Sequence, residues 1–114
     1  MLPKKNRADK KSLQKIFKES RAINTHSLNF RFVLIKENHT PPRISFIVSK
    51  NTAKKATKRN FLRRVGYAAL KNNLNNFPKG LIGAAIFKKS EENTETLQKE
   101  IKNILLKINE SNNK

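Results

Sequence analysis

The sequence predicts a single α+β domain, a two-layer sandwich in which helices pack on one sheet. Three observations predict it. Two stretches alternate apolar and polar residues with a period of two, Leu28 to Ile35 and Arg43 to Ser49. One run, Leu81 to Phe87, is apolar throughout. Three further segments repeat apolar residues at helical spacing. With 114 residues, of which 36% are hydrophobic, the chain can fill one small core.

The elements follow in order. Met1 to Ala8 reads as a flexible basic arm. Asp9 can cap a short helix in which Leu13, Ile16 and Phe17 share one face. Arg21 to Ser27 is polar and reads as irregular. In the first strand Leu28, Phe30, Phe32 and Leu34 point one way, and Asn29, Arg31, Val33 and Ile35 the other. Glu37 to Pro42 reads as a turn, and the second strand carries Ile44, Phe46 and Val48 on one face. The short connection predicts that these two strands form an antiparallel hairpin.

Asn51 or Thr52 can cap a long helix over Ala53 to Asn73, with an apolar stripe of Phe61, Leu62, Val65, Ala68 and Ala69. Gly66 interrupts that stripe at about 1 kcal/mol of helix propensity relative to Ala. Phe77-Pro78-Lys79-Gly80 ends the segment. The run Leu81 to Phe87 suits a strand covered on both faces. Asn93 or Thr94 starts a last helix with Leu97, Ile101, Ile104, Leu105 and Ile108 as its core face, and residues 111 to 114 should fray. The expected order is α-β-β-α-β-α in one domain over residues 1–114.

Charge narrows the function. Lys and Arg number 26 against 8 Asp and Glu, a formal net charge of +18. Such a chain calls for a polyanionic partner, either nucleic acid or an anionic membrane. No run approaches the roughly 20 apolar residues needed to span a bilayer. The basic N-terminus lacks the apolar stretch of a secretory signal. Cysteine is absent, which excludes disulfides and thiolate metal sites and fits a reducing cytosol. The two histidines, His26 and His39, fall in separate predicted loops, which argues against zinc or His-based catalysis. From Asn38 to Ser90 there is no acidic residue, while twelve Lys or Arg occur there. A surface selected for solubility alone mixes its signs; this one reads as a binding face.

The most distinctive segment is Lys50 to Arg64, with seven basic residues in fifteen and no acid. On a helix Lys55, Arg59 and Arg63 recur every four residues and form a ridge, widened by Lys54, Lys58 and Arg64. Cations at one-turn spacing can meet successive phosphates and release counterions. Arginine adds planar, bidentate geometry, and Asn60 adds an amide that both donates and accepts. A merely solvated charged helix is the competing reading.

These residues resemble a known family. Val48-Ser49-Lys50, a short basic spacer and then Ala56-Thr57-Lys58-Arg59-Asn60-Phe61-Leu62-Arg63-Arg64 is similar to the RNR signature of the ribonuclease P protein subunit. Leu13 to Lys18 looks like that family's first helix, and Phe30 to Leu34 and Arg43 to Ser49 like its first strands. Phe61 stands where the family usually has Arg, and Gly66 and Tyr67 also depart from its pattern. Nothing in the sequence decides whether Tyr67 makes a helix-surface contact.

The resemblance implies a subunit of an endoribonuclease that removes the 5′ leader of precursor tRNA by hydrolysis. It implies the sandwich found in the second domain of a small-subunit ribosomal protein, and a cytoplasmic location. The partners would be ribonuclease P RNA and precursor tRNA, with no membrane and no DNA. No catalytic residue and no metal would belong to the protein, and Mg²⁺ would enter with the RNA in the holoenzyme. The RNA-binding residues would be Lys50, Lys54, Lys55, Lys58, Arg59, Asn60, Arg63 and Arg64. A leader-binding cleft would use Leu13, Phe17, Phe30, Phe32 and Phe46. Core packing is the competing reading for these apolar residues, and the sequence does not separate the two for Phe30 and Phe46. A ribosomal protein or general RNA chaperone on the same fold is the alternative. A membrane-active helix would need a larger apolar face, and a DNA reader would need a helix-turn-helix partner.

Overall fold

A computed structural model describes residues 21–34 and 41–112. The basic arm, the expected N-terminal helix with Leu13, Ile16 and Phe17, and most of the turn before Pro42 lie outside the described residues. The elements are β1 (Arg21–Asn24), β2 (Leu28–Leu34), β3 (Arg43–Ile47), α1 (Ala56–Leu70), β4 (Leu81–Phe87) and α2 (Thr94–Asn112), with a short 3-10 turn at Leu74–Asn76. The α+β class holds.

The four strands form one sheet in the order β1-β2-β4-β3. The expected hairpin between the second and third strands does not form. β4 lies between them, antiparallel to β2 and parallel to β3. Two physical reasons decide this. The continuously apolar β4 can bury both faces only at the centre of the sheet. A parallel neighbour then needs a long crossover, and α1 between β3 and β4 supplies it.

Arg21–Asn24 is a strand rather than irregular chain, paired with β2 from Arg21↔Phe32 to Asn24↔Asn29. Only Ile23 of its four residues packs toward the core, so it carries no period-two signal. The turn that folds it back is held locally. The Thr25 backbone N–H donates to the Leu28 carbonyl at 2.8 Å, and the Leu28 N–H donates to Thr25 Oγ1 at 3.2 Å.

The core lies between one sheet face and the two helices. Register puts Leu28, Phe30 and Phe32 of β2 on the same face as Ala85 and Phe87 of β4 and Ile44 and Phe46 of β3. Phe46 meets α1 directly. Its ring packs edge-on against Tyr67 with centroids 5.1 Å apart, and a Cβ on Gly66 would fall 2.6 Å from Phe46 Cδ1. Gly66 therefore lets helix and sheet approach. From α2, Leu97, Ile101, Ile104 and Ile108 fill the rest, as their periodicity predicts. Gly80 has φ 82° at the entry to β4, a conformation L side chains rarely adopt.

The buried face of α1 differs from the expected stripe. It comprises Leu62, Val65, Gly66, Tyr67, Ala69 and Leu70, whereas Phe61 is 45% exposed and Ala68 is exposed. At 100° per residue, Phe61 sits one step round from Leu62 and leaves the contact zone. Tyr67 is buried, and its hydroxyl accepts the Phe46 backbone N–H at 3.3 Å.

Candidate nucleic-acid interface

The basic segment begins in the connection from β3 to α1. The Thr52 N–H donates to the Ser49 carbonyl at 3.1 Å, making a tight turn. Thr52 Oγ1 donates to the Phe87 carbonyl at 3.2 Å, and Ser90 Oγ donates to the Thr52 carbonyl at 2.9 Å. This ties the connection to the end of β4, so the Thr52 hydroxyl does not cap the helix. The N-cap is Lys55, in extended geometry with no side-chain cap, and the first turn holds no acid. Neither Asn51 nor Thr52 takes the capping role expected of it.

The helix therefore starts with unsatisfied N–H donors and the positive end of its dipole. Lys50, Lys54 and Lys55 are exposed around that end, and Lys58 is half-buried beside it. An uncapped N-terminus ringed by ammonium groups suits phosphate.

Further along, the cations spread round the helix. Arg59 and Arg63 share one flank, on the side of Tyr67 and β3. The Arg59 guanidinium donates through Nη1 to the carbonyls of Ala53 at 3.0 Å and Lys54 at 2.7 Å. This anchoring orients the planar group and leaves its other donors available. Arg63 donates to Asn60 Oδ1. Asn60 and Arg64 are exposed on the outer arc. Lys58 lies on the opposite flank, ion-paired with Glu92 just before α2. The single ridge of the sequence reading is thus a broader patch, with Lys55 at its cap and Lys58 set apart. Among the described residues, Lys58 is the one cation of Lys50 to Arg64 held in an ion pair.

The structure corrects the proposed leader cleft. Phe30, Phe32 and Phe46 are 2%, 5% and 4% exposed and belong to the core beneath the helices. They have no ring face to offer a base. Leu13 and Phe17 lie outside the described residues. The sheet's other face carries Asn29, Arg31 and Val33 of β2, Ile82, Ala84 and Ile86 of β4, and Arg43, Ser45 and Ile47 of β3. Arg31 and Arg43 are half-buried there, and Arg43 Nε is buried without a partner. The alternation of the first strand already separated Arg31 from Phe30 and Phe32. It could not say which set faces the helices.

Among the described residues, no three His, Asp or Glu side chains gather to hold a metal, and no helix is long and apolar enough to cross a membrane.

Comparison with known proteins agrees with this geometry. No curated protein sequence matches the chain. Among solved structures, the RNase P protein from Thermotoga maritima superposes with a TM-score of 0.72 at 26% identity, covering 87% of this chain and 94% of that one. The Staphylococcus aureus RNase P protein gives 0.71 at 19% identity, with 89% and 91% covered, a likeness of fold. The sequence model of the family described as Ribonuclease P matches residues 2–109. A chain with this fold, this basic segment and a family match over nearly its whole length belongs to the ribonuclease P protein family.

Proposed function

We propose that the Lys50 to Arg64 segment docks the chain on ribonuclease P RNA, and that the half-buried Arg31 and Arg43 on the sheet's other face contact the 5′ leader of precursor tRNA. The observation that carries the first part is the uncapped, acid-free start of α1 with its lysines turned outward. A helix end built for stability alone would place Ser, Thr, Asp or Asn there and favour acids in the first turn. Bound phosphates satisfy the free N–H groups and neutralise the lysines together.

The protein's contribution is then binding and electrostatics. Its cations offset repulsion between RNA strands and raise the occupancy of the cleavable complex. Leader hydrolysis is left to Mg²⁺ at RNA phosphates, and no chemical step is assigned to a side chain.

The test is reconstitution. The protein alone should leave a 5′-extended tRNA intact. Added to a bacterial ribonuclease P RNA at low Mg²⁺, it should restore cleavage at the mature 5′ end. Processing that ignores the protein at every Mg²⁺ concentration refutes the proposal.

A further inference from the structure

Phe61 is the one described phenylalanine that the fold leaves open. It is 45% exposed, while Phe30, Phe32, Phe46, Phe77 and Phe87 are at most 5% exposed. The buried face of α1 is complete without it. Its outward neighbours on the helix are Thr57, four residues earlier, and Ala68, seven later, both exposed. Both are short, so the ring stands above them. The Lys58 ammonium lies 5.5 Å from the ring centroid, and Arg64, one turn on, is exposed.

We propose that Phe61 is a stacking platform for an unpaired nucleobase of the RNA partner, with Arg64 holding the adjoining phosphate. The inference rests on the reading of Lys50 to Arg64 as the RNA-facing segment. The mixed chemistry of the patch selects the ligand. An apolar protein surface laid on Phe61 would take Arg64 out of water without bringing charge to meet it. A nucleotide brings both a flat π-face and a phosphate. A base inside a duplex is already stacked on both sides, so the occupant is a nucleotide of a loop, bulge or single strand.

The chain contains no tryptophan, so Phe61→Trp supplies a single fluorescent reporter at the proposed contact. Titrated with a bacterial ribonuclease P RNA, its emission should be quenched as a base stacks on the indole, and the variant should bind as tightly as wild type. Unchanged emission at saturation, with binding followed independently by filter retention, overturns the proposal.

Phe61→Leu keeps apolar volume and removes the π-face. It should weaken binding roughly 5- to 100-fold with an unaltered salt slope, since no charge is lost. Wild-type affinity in Phe61→Leu overturns the proposal, as does equal loss in the Leu and Trp variants, which would mark a shape-specific packing contact. Failure of Phe61→Leu to fold would return the ring to the core and also overturn it. A wild-type protein that binds no ribonuclease P RNA at any salt is a different failure. It removes the proposed function itself, and this inference with it.

Discussion

Glu100 Oε1 accepts the Ser27 backbone N–H at 2.6 Å and the Thr25 hydroxyl at 2.5 Å, joining α2 to the β1–β2 turn. Glu100 is only 7% exposed, and its other oxygen has no partner. Removing the carboxylate leaves a buried amide without an acceptor. Glu100→Ala should therefore destabilise the fold by about 2 kcal/mol. Glu100→Gln keeps an acceptor and should lose less. Urea unfolding of the three proteins checks this. A loss below about 0.5 kcal/mol in the Ala variant would show that the link contributes little.

Gly66→Ala sets two effects against each other. Alanine gains about 1 kcal/mol of helix propensity over glycine. Its Cβ would meet Phe46 Cδ1 at 2.6 Å. Phe46 cannot swing away easily, because Tyr67 and Phe87 pack against its ring at 5.1 and 5.9 Å. Overpacking of this kind costs roughly 1–3 kcal/mol, so the clash should win and the variant melt lower than wild type. In a Phe46→Leu background the same change should turn neutral or stabilising, a non-additivity that a double-mutant cycle measures.

The α2 face from Leu97 to Ile108 follows from periodicity and β4 from its unbroken apolar run, because each signal is local. β1 carries no local signal, because the turn that holds it is tied through Thr25 to Glu100, 75 residues away. The hairpin expected between β2 and β3 gives way to β4, which the chain reaches only after α1 and which separates them in the sheet. Alternation divided β2 into two faces without saying which one α1 and α2 cover. Alternation is consequently consistent with Phe30, Phe32 and Phe46 facing RNA, whereas they form the core. The basic segment is legible as charge, but which flank each cation takes depends on which face of α1 is buried, and that face is set by packing. The same choice of face turns Phe61 outward, one step round from the buried Leu62.

Lys55→Ser should trade binding for stability. Lys55 has φ −82° and ψ 134°, the extended geometry of an N-cap, but no side-chain acceptor. A serine there can accept an N–H of the first turn and removes a cation from the positive end of the helix. The fold should gain about 1 kcal/mol. Affinity for ribonuclease P RNA should fall, and the log–log salt dependence should become shallower by roughly one ion. Thermal melts and filter binding at several salt concentrations report the two effects separately. A variant that gains stability and binds RNA with an unchanged slope would place Lys55 outside the interface.

Arg59→Ala combined with Arg63→Ala probes the other flank of α1. Arg59 is anchored to the carbonyls of Ala53 and Lys54, and Arg63 to Asn60. These contacts are largely solvent-exposed, so their loss should change stability by less than about 1 kcal/mol. Their loss as phosphate ligands is a larger effect. The salt slope should flatten by roughly two ions, and binding at moderate salt should weaken. Arg59→Lys with Arg63→Lys retains the charge but not the planar fork. It should keep the slope and lose only part of the affinity. An unchanged slope in the alanine pair would mean that these guanidinium groups never reach phosphate, and that docking runs through the lysines at the start of α1 alone.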